Sequence, residues 1–362
     1  MSIPMKKIVF TGGGTAGHVT PNLAVMAELR RQGWDMEYIG SRDGIEKDII
    51  DHEGIPFHHI ASGKLRRYFD LKNFKDPLRV IQGTLQAYRL LRRIRPHIVF
   101  SKGGFVSVPV IVGCRLAGIP VIAHESDLTP GLANKISMPF VSRICVTFPE
   151  TLKHLRGGKA ECTGLPIREQ ILKGSAAKGR QLCDFHSSKP VLFIMGGSLG
   201  AQKINQAVRS ILDSLLQEFQ IIHICGKGNT DPGLQGIRGY RQFEYVKDEL
   251  PDLLASASLV ISRAGSTSIF EFLAARKPML LIPLSRAASR GDQILNAESF
   301  RSQGYCEVLQ EEELTADSLL SGVSSLYADR ERVLANMEHS PYGDGTAQIV
   351  RLIEAHRLKE GS

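Results

Sequence analysis

Several features that would assign this chain to a familiar class are missing. Its opening, MSIPMKKIVF, has no apolar stretch of signal-peptide length, so no export leader is expected. The longest apolar stretch, Phe105 to Cys114, is too short to cross a bilayer and is ended by Arg115. The six cysteines, Cys114, Cys145, Cys162, Cys183, Cys225 and Cys306, have neither metal-ligand nor redox spacing, and buried thiols in a reducing compartment are expected. Nor do the histidines group with Asp or Glu at ligand spacing, so no metal and no cofactor is expected. Zinc-finger spacing and an RNP-like aromatic motif are absent, which argues against a nucleic-acid partner.

What remains is a globular composition with a basic excess. The 362 residues suit two domains of roughly 150–200 residues each. Hydrophobic residues at 43% and charged residues at 23% supply cores and a soluble surface. A net charge of +8, without a nucleic-acid module, points to phosphates and an anionic membrane surface.

The chain opens with an apolar strand at Lys6–Phe10, a glycine-rich loop from Thr11 to His18, and a helix over Val19–Gln32 with Leu23, Val25, Met26 and Leu29 on one face. Further strands are expected at Met36–Gly40, His97–Ser101 and Val121–Ala123. The same opening then recurs about 185 residues later. Lys189–Met195 is a strand, Gly196–Gly200 a loop, and Ala201–Leu216 a helix, followed by strands at Gln220–Cys225, Leu259–Ser262 and Pro278–Pro283. Strands alternating with helices predict parallel sheets. The fold class is therefore α/β, with two Rossmann-like domains facing each other across a cleft. Gly164-Leu-Pro166 punctuates the chain near the expected junction.

In such sheets ligands sit beyond the carboxyl ends of the strands, where each glycine loop lies. Gly12, Gly14 and Gly17 satisfy G-x-G-x-x-G, whose backbone can approach a pyrophosphate closely. A nicotinamide enzyme would use the same loop. It would want a carboxylate at the end of the second strand, but Gly40-Ser41-Arg42 stands there, a pair that NADP could still use. A tight structural turn is the plainer reading of both glycine loops. Ser198 in the second loop adds a hydroxyl donor for a diphosphate. Ser262–Glu271 follows a strand and opens a helix with small hydroxylated residues that can present N–H groups to an anion. Glu271, one turn inside, either accepts from two vicinal hydroxyls, as on a ribose, or merely favours the helix N-terminus.

Taken together, these motifs resemble the MurG family of N-acetylglucosaminyltransferases. The similarity runs nearly end to end through GGGTAGHVTPNLA (12–24), SKGGFVSVP (101–109), HESDLTPGLANK (124–135), GLPIR (164–168), GGSLGA (196–201), SRAGSTSIFE (262–271) and DQILNA (292–297). It implies the GT-B architecture and transfer, with inversion, of N-acetylglucosamine from UDP-N-acetylglucosamine to the undecaprenyl-diphosphate-linked muramyl-pentapeptide of peptidoglycan synthesis. Residues 1–165 would form the acceptor and membrane-facing domain, 166–346 the donor domain, and 347–362 a helix returning to the first domain. Carried over motif by motif, Thr15, Ala16, Gly17 and Asp127 would contact substrate and Arg168 would hold the leaving group. Ser198 would contact the diphosphate, and Val246 would present its backbone to uracil. Ser266, Thr267, Ser268, Ile269, Phe270 and Glu271 would hold diphosphate and ribose, and Gln293 would read a sugar hydroxyl. The chain departs from the family pattern at Ala16, at Phe105, at Asp292, and at Ser126-Asp127, where the family has an amide pair. A related transferase with another lipid acceptor, a UDP-sugar epimerase and a sugar-nucleotide-binding protein without turnover stay open as alternatives.

His18, at the end of the first glycine loop, is the expected general base, because an unperturbed imidazole pKa near ~6.5 suits proton abstraction at neutral pH. Glu125 is the second candidate. Lys64–Lys75 interleaves cations with Leu65, Tyr68, Phe69, Leu71 and Phe74, and Arg89, Arg92, Arg93 and Arg95 follow. Such a stretch suits peripheral docking on the cytoplasmic face of the cell membrane.

Overall fold

The computed structural model describes residues 6–42, 44–63, 76–155, 157–197, 201–286, 289 and 291–359. The Lys64–Lys75 stretch and Ser198 lie outside the described residues. The chain divides into two compact units, one running to Pro166 and resuming at Asp344, the other comprising Ile167–Gly343.

The first unit is a βα alternation: β1 (Lys7–Thr11), α1 (Thr20–Arg31), β2 (Asp35–Ser41), α2 (Glu46–His52), β3 (Phe57–Ile60), α3 (Asp76–Ile94), β4 (Ile98–Ser101), α4 (Ser107–Ala117), β5 (Val121–Glu125), α5 (Leu132–Ser137), β6 (Arg143–Val146) and β7 (Ala160–Cys162). The seven strands lie in the order β3-β2-β1-β4-β5-β6-β7, every pair parallel. Alternation along β1 divides the core between two faces. Ile8 and Phe10 pack with Val25, Leu29 and Trp34, while Val9 packs with Ile39, Leu91, Val99 and Val110. Both faces are covered, which is why these strands are near-continuous hydrophobic runs.

Unit two repeats the plan: α6 (Glu169–Leu172), α7 (Ala176–Leu182), β8 (Val191–Met195), α8 (Gln202–Ser210), α9 (Leu212–Glu218), β9 (Gln220–Ile224), β10 (Tyr240–Phe243), α10 (Leu250–Ser256), β11 (Leu259–Ser262), α11 (Ser266–Ala274), β12 (Met279–Leu281), α12 (Asp292–Ser302), β13 (Cys306–Val308), α13 (Ala316–Ala328) and α14 (Arg330–Glu338). Its parallel sheet has the order β10-β9-β8-β11-β12-β13. The single helix expected over Ala201–Leu216 is two helices. Ile211 leaves the helical region at φ −120° and ψ 19°, and its amide donates to the nearer Val208 carbonyl.

The last helix, α15 (Thr346–His356), belongs to the first unit and packs on α1. Ile349 and Ile353 are fully buried beside Leu29 and Trp34. Glu354 accepts from Lys6 Nζ at 2.6 Å and from Trp34 Nε1 at 3.2 Å, fixing the helix to the first strand. Among the described residues no helix is long and apolar enough to cross a membrane.

In both sheets the strand order reverses beside the first strand, between β1 and β4 and between β8 and β11. Register sets Thr11 against Ser101 and Met195 against Ser262. Within each unit the two loops that leave these strand ends therefore start side by side, at the point where such a sheet holds its ligand.

Candidate active site

In the first unit, the loop after β1 lies on the loop after β4. Lys102 N donates to the Thr11 carbonyl at 2.9 Å. Gly104, at φ +84°, approaches so closely that a Cβ would overlap the Gly13 carbonyl. His18 ends the upper loop, half-buried, with Nδ1 3.2 Å from the Lys102 carbonyl. A carbonyl can only accept, so Nδ1 carries the proton in that bond and Nε2 is the proton-accepting nitrogen. Thr15 is exposed at the tip and Gly17 is half-buried, so the edge of the loop faces outward.

Glu125, the second expected base, has a different role in this geometry. It is 4% exposed. Oε1 accepts from Asp127 N at 3.0 Å, and Oε2 accepts from Gly131 N and from Asn134 Nδ2, both at 2.8 Å. Burial, reinforced by the nearby Asp127 charge, pushes its carboxyl above the usual range. A carboxylate so enclosed braces the turn over residues 126–134 and does not face an incoming hydroxyl. Asp127 is half-buried on that turn, and Thr151 Oγ1 donates to its carbonyl at 3.4 Å.

Lys102 was not among the expected site residues. It is 1% exposed, and its Nζ donates to Ser126 Oγ and, at 2.9 Å, to His124 Nδ1. His124 Nε2 lies 3.0 Å from the Gly164 carbonyl, so that nitrogen holds the ring proton. Burial first, and the Lys102 charge second, keep the His124 pKa far below its ordinary value. The imidazole is thus a neutral acceptor for the ammonium. Burial pulls the Lys102 pKa down to about 8, against the opposing pull of Glu125 and Asp127.

Arg263 holds the matching place in the second unit, immediately after β11. It is 8% exposed and binds Glu311 through Nη2, while Nη1 donates to the Ile282 and Pro283 carbonyls at 3.1 and 3.4 Å. Burial would raise the Glu311 carboxyl, but Arg263 outweighs it and holds the pKa below the usual range. Above this pair α11 starts at Ser266 with no side-chain cap on Gly265. Ser266, Thr267 and Ser268 make up its first turn, where helix geometry turns backbone amides towards the N-terminal end and favours an anion. Ile269 and Phe270 do not serve there. The Ile269 amide donates to the Gly265 carbonyl, its side chain is fully buried, and Phe270 is 2% exposed against Phe300 and Tyr342. They anchor the helix instead.

Glu271 is 7% exposed and is held by Arg168, Nε to Oε1 at 2.7 Å and Nη2 to Oε2 at 3.0 Å. Arg168 therefore orients Glu271, where a direct hold on the leaving group was expected. Each carboxylate oxygen retains a second lone pair, so vicinal hydroxyls can still donate to it. Tyr245, next to Val246 in the loop after β10, lies within electrostatic range of Arg168. The Val246 side chain is buried, which leaves its backbone as the part it can offer. Gln293 Oε1 accepts from Leu284 N at 3.1 Å, and this fixes the amide so that Nε2 points onward as a donor.

The Lys102 pKa gives a direct test. Between pH about 8 and 10.5 the unfolded chain still holds a proton that the folded lysine has released, so stability rises with pH across that window. Relative to Lys102→Met, the wild-type chain should gain up to about 3 kcal/mol between pH 7 and pH 10.5 in denaturant titrations. A pH-independent difference between the two proteins would contradict a buried ammonium.

Comparison with known proteins is consistent with this layout. The glycosyltransferase family 28 N-terminal domain matches residues 8–146, and the glycosyltransferase family 28 C-terminal domain matches residues 191–353. The UDP-N-acetylglucosamine–N-acetylmuramyl-(pentapeptide) pyrophosphoryl-undecaprenol N-acetylglucosamine transferase of Geobacillus thermodenitrificans is 59% identical over 96% of this chain and 98% of its own length. The protein of the same name from Clostridium botulinum (strain Langeland) is 56% identical over 97% and 99%. Among solved structures, Acinetobacter baumannii MurG superposes with a TM-score of 0.75 at 23% identity, covering 97% of this chain and all of that one. A putative UDP-N-acetylglucosamine 2-epimerase from Listeria monocytogenes gives 0.67 at 12% identity over 97% and 96%, a likeness of fold alone. The chain belongs to glycosyltransferase family 28 and, within it, to the MurG family that its motifs resemble.

Proposed function

We propose that this protein transfers N-acetylglucosamine from UDP-N-acetylglucosamine to undecaprenyl-diphosphate-linked N-acetylmuramyl-pentapeptide, converting lipid I to lipid II. The observation that carries this reading is the 59% identity, over almost the whole of both chains, to a transferase named for that reaction. Epimerases enter only as likenesses of fold, so transfer is the better supported chemistry.

Residues 1–165 take the acceptor, 166–346 the donor, and 347–362 return to the first domain. In the donor half, the first turn of α11 at Ser266–Ser268 receives the diphosphate, with Ser198 adding a hydroxyl. Glu271, oriented by Arg168, accepts from the ribose hydroxyls. Val246 meets uracil through its backbone, and Gln293 Nε2 donates to a sugar hydroxyl. In the first domain, Thr15, Ala16 and Gly17 face the lipid-linked sugar, and Asp127 stands where the family's amide would contact the donor sugar.

The step is a single displacement. The acceptor hydroxyl oxygen attacks the anomeric carbon, the bond from that carbon to the diphosphate oxygen breaks, and the configuration inverts. His18 Nε2 takes the hydroxyl proton, helped by the Nδ1–H bond to the Lys102 carbonyl that orients the ring. Negative charge growing on UDP is met by the α11 amides. Labelled UDP-N-acetylglucosamine and lipid I should give a disaccharide-lipid on chromatography, and His18→Ala should lower turnover about 100-fold or more. No labelled lipid from the wild-type protein would refute the transfer, and near-normal turnover in His18→Ala would refute the base.

The acceptor reading places the protein peripherally on the cytoplasmic face of the cell membrane. On α3, Leu78, Ile81 and Leu85 are 68%, 58% and 50% exposed at three- and four-residue spacing. Arg89, Arg92 and Arg93 are exposed further along the same helix. An apolar stripe running into cations suits a surface that offers acyl chains beneath anionic headgroups. The protein should sediment with vesicles containing anionic lipid and stay in solution with neutral ones. Equal behaviour with both would contradict an anionic docking surface.

A further inference from the structure

A glycine-rich loop between a strand and a helix is ordinarily read as a cradle for an external phosphate. Here the inner side of the first loop already holds an anion, and it belongs to the chain. Glu46, the first residue of α2, is fully buried. Its Oε2 accepts from Gly14 N at 3.3 Å, and its Oε1 accepts from Ser41 N at 2.8 Å and from Ser41 Oγ. A Cβ on Gly13 would stand 2.6 Å from Glu46 Oε1, and one on Gly44 would overlap the same carboxylate. Glycines thus clear the space that this side chain fills.

The loop is gripped at other points too. Tyr38 Oη, fully buried, donates to the Gly12 carbonyl at 2.7 Å, and the Lys102 backbone binds both Thr11 and His18. Glu46 is the member of this set that takes up a loop amide, the group a phosphate would otherwise seek. A buried carboxylate survives only with such partners, and the Gly14 amide is likewise satisfied by it.

We propose that Glu46 is a positioning residue for the transfer reaction. Its carboxylate is a built-in anion that holds the first glycine loop from inside, so the acceptor meets the outer edge at Thr15–Gly17 beside His18. This rests on the acceptor-side reading given above. It adds that the loop is a shaped platform and does not close round an acceptor phosphate. Loss of the carboxylate should relax the platform and weaken acceptor binding while leaving donor binding nearly unchanged, because the diphosphate, ribose and uracil contacts belong to the second unit and Asp127 is not among the residues that Glu46 touches.

The test uses the full chain with UDP-N-acetylglucosamine and lipid I. Glu46→Ala should raise the acceptor KM about tenfold or more, with the donor KM within about twofold of wild type; tenfold corresponds to about 1.4 kcal/mol. Acetate or formate should restore much of the acceptor KM in Glu46→Ala by entering the vacated nest. Neither salt should help wild type or Glu46→Gln, whose amide occupies the nest but cannot accept from donors on both sides. Circular dichroism confirms folding, and Glu46→Gln, which keeps the volume, carries the KM comparison should the alanine variant misfold. An acceptor KM that is unchanged or lower in a folded Glu46 variant would overturn the proposal, since the loop would then serve without its internal anion. Carboxylate addition that leaves folded Glu46→Ala unimproved would overturn it as well. Wild-type protein that makes no lipid product would instead overturn the transferase reading, a separate result.

Discussion

The pairing of the first strand of each sheet with the strand at its reversal, β1 with β4 and β8 with β11, governs the rest of the molecule. Parallel pairing in register forces two loops to leave adjacent strand ends together, and their backbones approach within contact distance. Only small residues tolerate that approach, as Gly104 against the Gly13 carbonyl illustrates. Both units place a cation directly after the reversal strand, Lys102 after Ser101 and Arg263 after Ser262. A buried charge there must be answered, and the two answers differ. Arg263 is neutralised by Glu311, whereas Lys102 leans on a neutral histidine and a hydroxyl, with two carboxylates nearby.

That difference extends to the loops above. In the first unit the glycine loop is occupied by Glu46, and the groups left at its edge are Thr15, Gly17 and the imidazole of His18. In the second unit α11 begins at Ser266 without a side-chain cap on Gly265, and a helix start of this kind favours an anion. One fold, repeated, thus yields a filled loop beside a histidine and a helix start without a side-chain cap beside an ion-paired carboxylate. The proposed assignment of acceptor chemistry to the first unit and donor binding to the second fits that contrast.

Much of this was legible in the sequence because it is carried by apolar periodicity and by glycines. The strand at Lys6–Phe10, the helix at Val19–Gln32 and the second opening at Lys189 all lie within a residue or two of the observed elements. Strands without an apolar run were not legible. Phe57–Ile60 contains two histidines, and Ala160–Cys162 is a half-buried three-residue strand at the sheet edge. Helix α3 was hidden because its apolar residues Leu78, Ile81 and Leu85 point to solvent. In the site, Glu271 and Arg168 were each identifiable from their motifs, but their bidentate pairing joins residues 103 positions apart and leaves no local signature. Glu46 and Lys102 were missed for the same reason, since a charged residue in a sequence looks solvated until the fold buries it. The one available hint was the repeated Ser-cation-small-Gly pattern, SKGG and SRAG, at corresponding strand ends.

The central claim is that the uncapped start of α11 is the diphosphate site and the Arg168-held Glu271 the ribose site. A crystal structure of the full chain with UDP tests it most directly. The account predicts diphosphate oxygens on the amides of Ser266–Ser268 and both ribose hydroxyls on the Glu271 carboxylate, with Arg168 still in place. A diphosphate bound within the first glycine loop, with Glu46 displaced, would contradict it.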